Sequence, residues 1–288
     1  MPVYDVALSV LGGLVLLAVL TDLFLALLYP AGRGVISDPV MAAVWRLTRR
    51  AGRRTRAISG ALAVVAAILT WVALAVLGGA LLVGPHLPEA FSYGTGLDPA
   101  RGPWLDAFYV SAVTLTTLGF GDVVPTEGWL RALVPLLALT GFALLTAAVT
   151  WVMQLYPALT RRRRLALQLS AYEVVGTADR LGSLGPTTAA RLLEDVASGL
   201  GGVRMDLTQY AETFYFHEAD DDASLPTQTK VAARLVDAAR ASEAPDVRHA
   251  GEVLQHALAG VAHVLDADFL HTGGSTADTL RAWAEQHA

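Results

Sequence analysis

Apolar residues in this chain fall into three long runs, Val6–Tyr29, Ala57–Gly84 and Trp129–Tyr156, separated by polar or basic stretches. A helix rises about 1.5 Å per residue, so runs of this length reach about 36–42 Å and predict three membrane-crossing helices. A shorter apolar run, Trp104–Thr116, lies between the second and third. It is too short to span and is expected to re-enter the membrane, where irregular backbone is tolerated only inside protein or beside water. Beyond the third run the pattern becomes amphipathic. Segment 158–181 reads as a continuation of the third run's helix that breaks at 182–186; 187–200, 206–216, 226–242, 245–265 and 275–286 follow as helices separated by Gly, Pro or acidic breaks, with no alternating strand pattern. The pattern therefore predicts an all-α membrane protein: three transmembrane helices, a re-entrant helix and a C-terminal helical domain.

The polar intervals refine this plan. Residues 31–56 carry seven arginines, at 33, 46, 49, 50, 53, 54 and 56. Ser37 or Asp38 can cap a helix starting at Pro39, in which Val40, Val44, Leu47 and Ala51 recur at helical spacing, with Met41 and Trp45 beside them. This predicts an interfacial helix that places Arg46, Arg49, Arg50 and Arg53 at anionic lipid headgroups. Residues 85–103, rich in Pro, Gly and polar side chains, read as an exposed loop in which His86 is solvated.

Composition agrees with a membrane protein: 54% of the 288 residues are hydrophobic and mean hydropathy is +0.47. There is no Cys, so neither a disulfide framework nor a thiolate metal site can form. The formal charge of −5 is split. Residues 1–164 hold 13 basic and 8 acidic side chains, whereas residues 165–288 hold 8 and 18. Basic loops at 33–56 and 161–164 predict cytoplasmic ends, an outside N-terminus and a cytoplasmic C-terminal domain, in a multi-pass protein of the plasma (inner) membrane. The first run lacks a basic start and a small-residue cleavage site, so it reads as a span of about residues 1–30 rather than a signal peptide. Its one interior charge, Asp22, is expected near the basic interface, satisfied there or paired to an arginine.

Candidate chemistry concentrates in Thr116-Thr117-Leu118-Gly119-Phe120-Gly121-Asp122. Glycine at every second position permits positive φ, which lets successive carbonyls point the same way. A ring of such carbonyls replaces the water shell of a dehydrated monovalent cation. Thr117 adds a hydroxyl at the inner end and Asp122 a carboxylate at the outer end. TTLGFGD resembles the TTVGYGD selectivity filter of tetrameric potassium channels, of the prokaryotic two-transmembrane, pore-loop type with an extra N-terminal span here. Leu118 and Phe120 stand where Val and Tyr are commoner, a variation also found in the two-pore-domain branch.

The resemblance covers about residues 57–164 and implies an outer helix 57–84, a turret 85–103, a pore helix 104–116, a filter 117–122 and an inner helix 129–157. It also implies a homotetramer, with K⁺ held at Thr117, Leu118, Gly119, Phe120 and Gly121 as permeant ion, no cofactor and no enzymatic activity. Phe108 and Tyr109 are expected in the aromatic packing around the filter. Gly141, 20 residues after Gly121, stands at the family's gating-hinge spacing. Val113 stands where some members carry a Glu bonded to the filter Asp. The basic helix within 31–56 is similar to the slide helix of such channels. The rivals are a weakly selective cation channel, a potassium transporter subunit and a non-conducting scaffold acting through its C-terminal domain.

Residues 158–288 resemble no family. No G-x-G-x-x-G follows a strand, and the spans lack a voltage-sensor arginine repeat. Glu218, Asp220, Asp221 and Asp222 form an acidic cluster without EF-hand spacing, expected to be a solvated loop with calcium binding the sharper alternative. His249, His256 and His263 recur every seven residues on one helix stripe, an exposed face that a fourfold assembly could use to sense pH or bind metal.

Overall fold

The computed structural model describes residues 3–27, 29, 34–48, 55, 58–96 and 102–287. Arg49, Arg50 and Arg53, predicted to meet lipid, lie outside the described residues; Arg46 is exposed. The helices are α1 (Val3–Leu27), α2 (Ser37–Thr48), α3 (Ser59–Val83), α4 (Pro103–Leu115), α5 (Gly128–Val174), the single turn α6 (Thr177–Arg180), α7 (Pro186–Gln209), α8 (Leu225–Arg240), α9 (Pro245–Leu265) and α10 (Thr276–His287). Among the described residues, three helical stretches are long and apolar enough to cross a membrane: Val3–Leu27, Ser59–His86 and Gly128–Val174. The chain divides into two compact units, residues 1–43 with 63–152 and residues 44–62 with 153–288.

In the first unit α1 crosses α3 at two glycines. A Cβ on Gly12 would lie 2.5 Å from the Gly78 carbonyl oxygen, so only glycine permits this approach. Gly12, Leu16, Val19 and Leu23 form the buried stripe of α1, joined by Asp22, which is 1% exposed. The Asp22 carboxylate accepts the backbone N–H groups of Ile36 (2.7 Å) and Ser37 (3.1 Å) and the indole N–H of Trp71 (2.7 Å). It thus caps α2 from another helix and neutralises the positive helix end. Asp22 is thus satisfied, as expected, through a capping contact between residues far apart in sequence. Trp71 in turn packs against Trp151 of α5, ring centroids 5.0 Å apart. The buried face of α2 is Ser37, Met41 and Trp45, whereas Leu47 of the expected stripe is 72% exposed.

Among the described residues, two three-residue strands that the sequence pattern did not show interrupt the helical fold. β1 (Phe91–Tyr93) pairs antiparallel with β2 (Val123–Pro125), in register Phe91↔Pro125, Ser92↔Val124, Tyr93↔Val123. They are too short to show a two-residue period. His86 also departs from expectation: it is 6% exposed, 3.2 Å from the Ser9 hydroxyl, with its ring edge against Trp129.

In the second unit, α7 runs unbroken through Gly201-Gly202, where two helices were expected. Leu193, Val196, Leu200, Val203 and Leu207 keep one buried stripe along it. A helical glycine costs about 1 kcal/mol, while each buried Val or Leu returns about 1.5–3 kcal/mol. A 3₁₀ turn, Ala211–Tyr215, follows instead of the expected helix to Phe216. The arginines after Tyr156 anchor this turn and its surroundings. Arg161 grips Asp206 through two bonds of 2.9 and 2.5 Å, and the buried Arg162 guanidinium donates to the carbonyls of Thr213 (2.6 Å) and Phe216 (2.9 Å).

Candidate functional site

The site begins with α4. Pro103 occupies its first turn, where a missing N–H costs nothing, and Asp106 favours the positive helix end. Ser111 donates to the Val76 carbonyl (2.8 Å), fastening α4 to α3. Behind it Ala80, Val83, Leu87, Phe91, Ala107, Val110 and Leu130 form one apolar cluster, with Tyr93, Tyr109 and Val123 packed against it.

The helix stops at Thr116, and the backbone then alternates. Thr117, Gly119 and Gly121 have φ of 58°, 54° and 76°, whereas Leu118 and Phe120 stay at negative φ. A left-handed residue at every second place turns alternate peptide planes over, so that carbonyls align on one side instead of alternating as in a strand. Glycine adopts this at no steric cost, but Thr117 does so at about 1–2 kcal/mol and must be held by its neighbours. The Leu118 N–H donates to Val113 (3.0 Å) and the Thr117 N–H to Thr114 (3.0 Å), which fixes the turn off the helix. Leu118 and Phe120 are 61% and 66% exposed in the single chain, and Thr117, Gly119 and Gly121 are exposed too. The segment thus stands exposed on its own chain.

Asp122 closes its C-terminal end. Its carboxylate accepts the Tyr109 hydroxyl (2.5 Å) and the backbone N–H of Val123 (3.1 Å), and its carbonyl accepts the Gly94 N–H (2.7 Å). Val113 supplies no side-chain bond to it. Of the two aromatics expected around this segment, Tyr109 binds Asp122, whereas Phe108 is 41% exposed.

Gly141 of α5 meets the end of α4 that leads into the segment. A Cβ there would stand 1.9 Å from the Leu115 carbonyl oxygen and 2.6 Å from its carbon, so α5 backbone lies directly on the end of α4. Beside this contact is an apolar cavity of about 410 Å³ lined by Val72, Ala75, Thr116, Thr117, Gly141 and Phe142, among others. Thr146 and Thr150 are exposed on α5 and Thr140 is half-buried, each hydroxyl bonded to the carbonyl four residues earlier.

Glu218 is an ion-pair partner rather than a solvated loop residue: it binds Arg163 at 2.6 Å and approaches Arg162 at 3.8 Å. Asp222 accepts from Ser170 (2.9 Å), and Asp220 caps the turn at Asp221–Ala223. These contacts bind carboxylates that the sequence placed in solvent, because their partners lie about 50 residues earlier in the chain. His249, His256 and His263 are exposed on α9. Among the described residues no three His, Asp or Glu side chains are grouped to hold a metal ion.

Tyr93, Gly94 and Asp106, which join the preceding loop to this segment, were not singled out by sequence. Their contacts are the backbone bond from Gly94 to the Asp122 carbonyl and the hydroxyl bond from Tyr93 to Asp106, which leave no motif. The Tyr93 hydroxyl donates to Asp106 (3.1 Å), and burial together with this carboxylate pushes its pKa up to about 12.

Residues 88–156 match a family model described as ion channel. A curated relative, the uncharacterized membrane protein YdjJ of Bacillus subtilis (strain 168), is 25% identical over 162 residues, covering 54% of this chain. The chain spans about half of that relative's length (47%). No solved structure matches the chain. A channel-type segment and three apolar helices long enough to span thus coincide in one membrane protein.

Proposed function

We propose that this chain, whose residues 88–156 are an ion-channel segment, conducts potassium passively and selectively through a pore built from four copies. The observation that carries the reading is the alternation of left-handed residues at 117, 119 and 121 in a segment exposed from its own chain. One such segment offers acceptors on one side of an ion only. Four around an axis enclose it, and a cyclic assembly supplies four identical copies. Carbonyls of Thr117, Leu118, Gly119 and Phe120, with the Thr117 hydroxyl, then replace the water around K⁺ in single file. Asp122 at the outer mouth raises the local cation concentration.

In this reading α4 re-enters the membrane and its C-terminal end points partial negative charge toward the ion path. The N-terminus lies outside and the α7–α10 unit in the cytoplasm, with Arg46, Arg49, Arg50 and Arg53 at anionic headgroups. K⁺ is the permeant ion and no cofactor takes part.

The test is ion uptake into liposomes holding purified protein. Wild type is expected to take up K⁺ or Rb⁺ in preference to Na⁺, with block by Ba²⁺, and to run as a tetramer in detergent. Gly119→Ala and Gly121→Ala remain assembled and lose uptake. Equal Na⁺ and K⁺ uptake would replace the reading by a weakly selective channel. Uptake unaffected by either substitution would remove segment 117–122 from the ion path.

A further inference from the structure

We infer that strand β1 is a positioning element for the filter, holding its outer end in the conducting shape. The inference rests on the reading of residues 117–122 as an ion filter. Aligned carbonyls repel one another, so an emptied filter tends to twist out of line unless its ends are fixed. At the inner end the fixing contacts are Leu115 on Gly141 and the N–H bonds to Val113 and Thr114. At the outer end Asp122 has a single side-chain partner on α4, Tyr109, because Val113 has nothing to donate.

The backbone supplies the remainder. Immediately after Asp122 the chain enters β2 and is zipped to β1 through three residue pairs. The ladder is extended at both ends, by Gly94 N–H to the Asp122 carbonyl (2.7 Å) and Thr126 N–H to the Ala90 carbonyl (2.9 Å). Rotation of the Asp122 peptide breaks the first of these bonds. A two-stranded ladder is marginal by itself in water. Here it is anchored twice. Phe91 is 7% exposed within the apolar cluster behind α4, and the Tyr93 hydroxyl binds Asp106 in the first turn of α4. Asp122 is thus held between Tyr109 of α4 on one side and, on the other, a strand fastened to the first half of that helix. Tyr93, Asp106 and the β1 backbone contact no ion; they act through Asp122.

The experiment is bilayer recording of wild type, Tyr93→Phe and Ser92→Pro at low and high external K⁺. Tyr93→Phe keeps the ring and removes one hydrogen bond to a carboxylate. Ser92→Pro removes the N–H at the centre of the ladder. At low external K⁺ both variants are expected to lose about tenfold in sustained open probability, the scale of one charge-assisted bond, at unchanged unitary conductance. High external K⁺ is expected to restore them, because bound ions stabilise the shape that binds them. A merely structural defect would not respond to K⁺. Wild-type open probability in both variants at low K⁺ would overturn the inference, as would a loss that K⁺ does not restore. Wild type carrying no K⁺ current would overturn the filter reading itself and this inference with it.

Discussion

Gly141→Ala separates two roles for the α5 glycine. The new Cβ would lie 1.9 Å from the Leu115 carbonyl oxygen, 2.6 Å from its carbon and 2.7 Å from its Cα. Cβ contacts below 3.0 Å are essentially never seen, so the two backbones must part by at least about 1.1 Å. Both sides of the contact are main chain, and no side chain can swing away. Overpacking of this kind costs about 1–3 kcal/mol. The displaced carbonyl is two residues from Thr117, whose left-handed backbone depends on bonds to the end of the same helix. An ångström there is enough to misplace a binding group. The expected result is lower thermal stability of the detergent-solubilised protein, together with lost conduction or weakened K⁺ preference in bilayers. A glycine serving only as a hinge gives another outcome: open probability changes while selectivity is intact. Alanine also favours a helix by about 1 kcal/mol over glycine. A Gly141→Ala protein with unchanged selectivity and unchanged or raised stability would refute the close-packing argument.

Asp22→Asn leaves one acceptor oxygen for three donors and turns an NH₂ toward an N–H, at a cost of about 1–3 kcal/mol. The unfolding midpoint should fall by several degrees, and Trp71→Phe, which removes one donor, should fall less. Asp206→Asn weakens the two-bond grip of Arg161, which is 52% exposed, so about 1 kcal/mol is expected in denaturant unfolding. His287 gives a pH dependence. Burial, with His217 and Arg162 nearby, pushes it down to about 3 from 6.5, outweighing the carbonyls of Phe214 and Trp283 that its two nitrogens face. The unfolded chain binds this proton below 6.5 and the folded chain does not, so the stabilisation is present above pH 6.5 and is lost as pH falls from 6.5 toward 3. His287→Phe should flatten that part of the stability–pH curve; an unchanged curve would exclude His287 as its source.

The elements legible in sequence were those with a local signature. The three apolar runs needed only length. Segment 117–122 needed only alternate glycines. What escaped were contacts between residues far apart in the chain. Asp22 reads as an isolated intramembrane charge until α2 presents its N–H groups to it. Arg161 and Arg162 read as topology signals, although their guanidinium groups bind Asp206 and the carbonyls of Thr213 and Phe216. β1 is three residues long, below any periodicity, and Phe91 and Tyr93 are ordinary loop aromatics until the ladder with β2 gives them a place. The break expected at Gly201-Gly202 weighed glycine's cost against nothing, because the burial of Val203 and Leu207 is a tertiary fact.

Reversal potential in a planar bilayer, with K⁺ on one side and Na⁺ on the other, addresses the central claim most directly. Purified wild-type protein is predicted to give a current reversing near the K⁺ equilibrium potential and blocked by Ba²⁺. Reversal near zero, at any open probability, would contradict potassium selection by the carbonyls of residues 117–120.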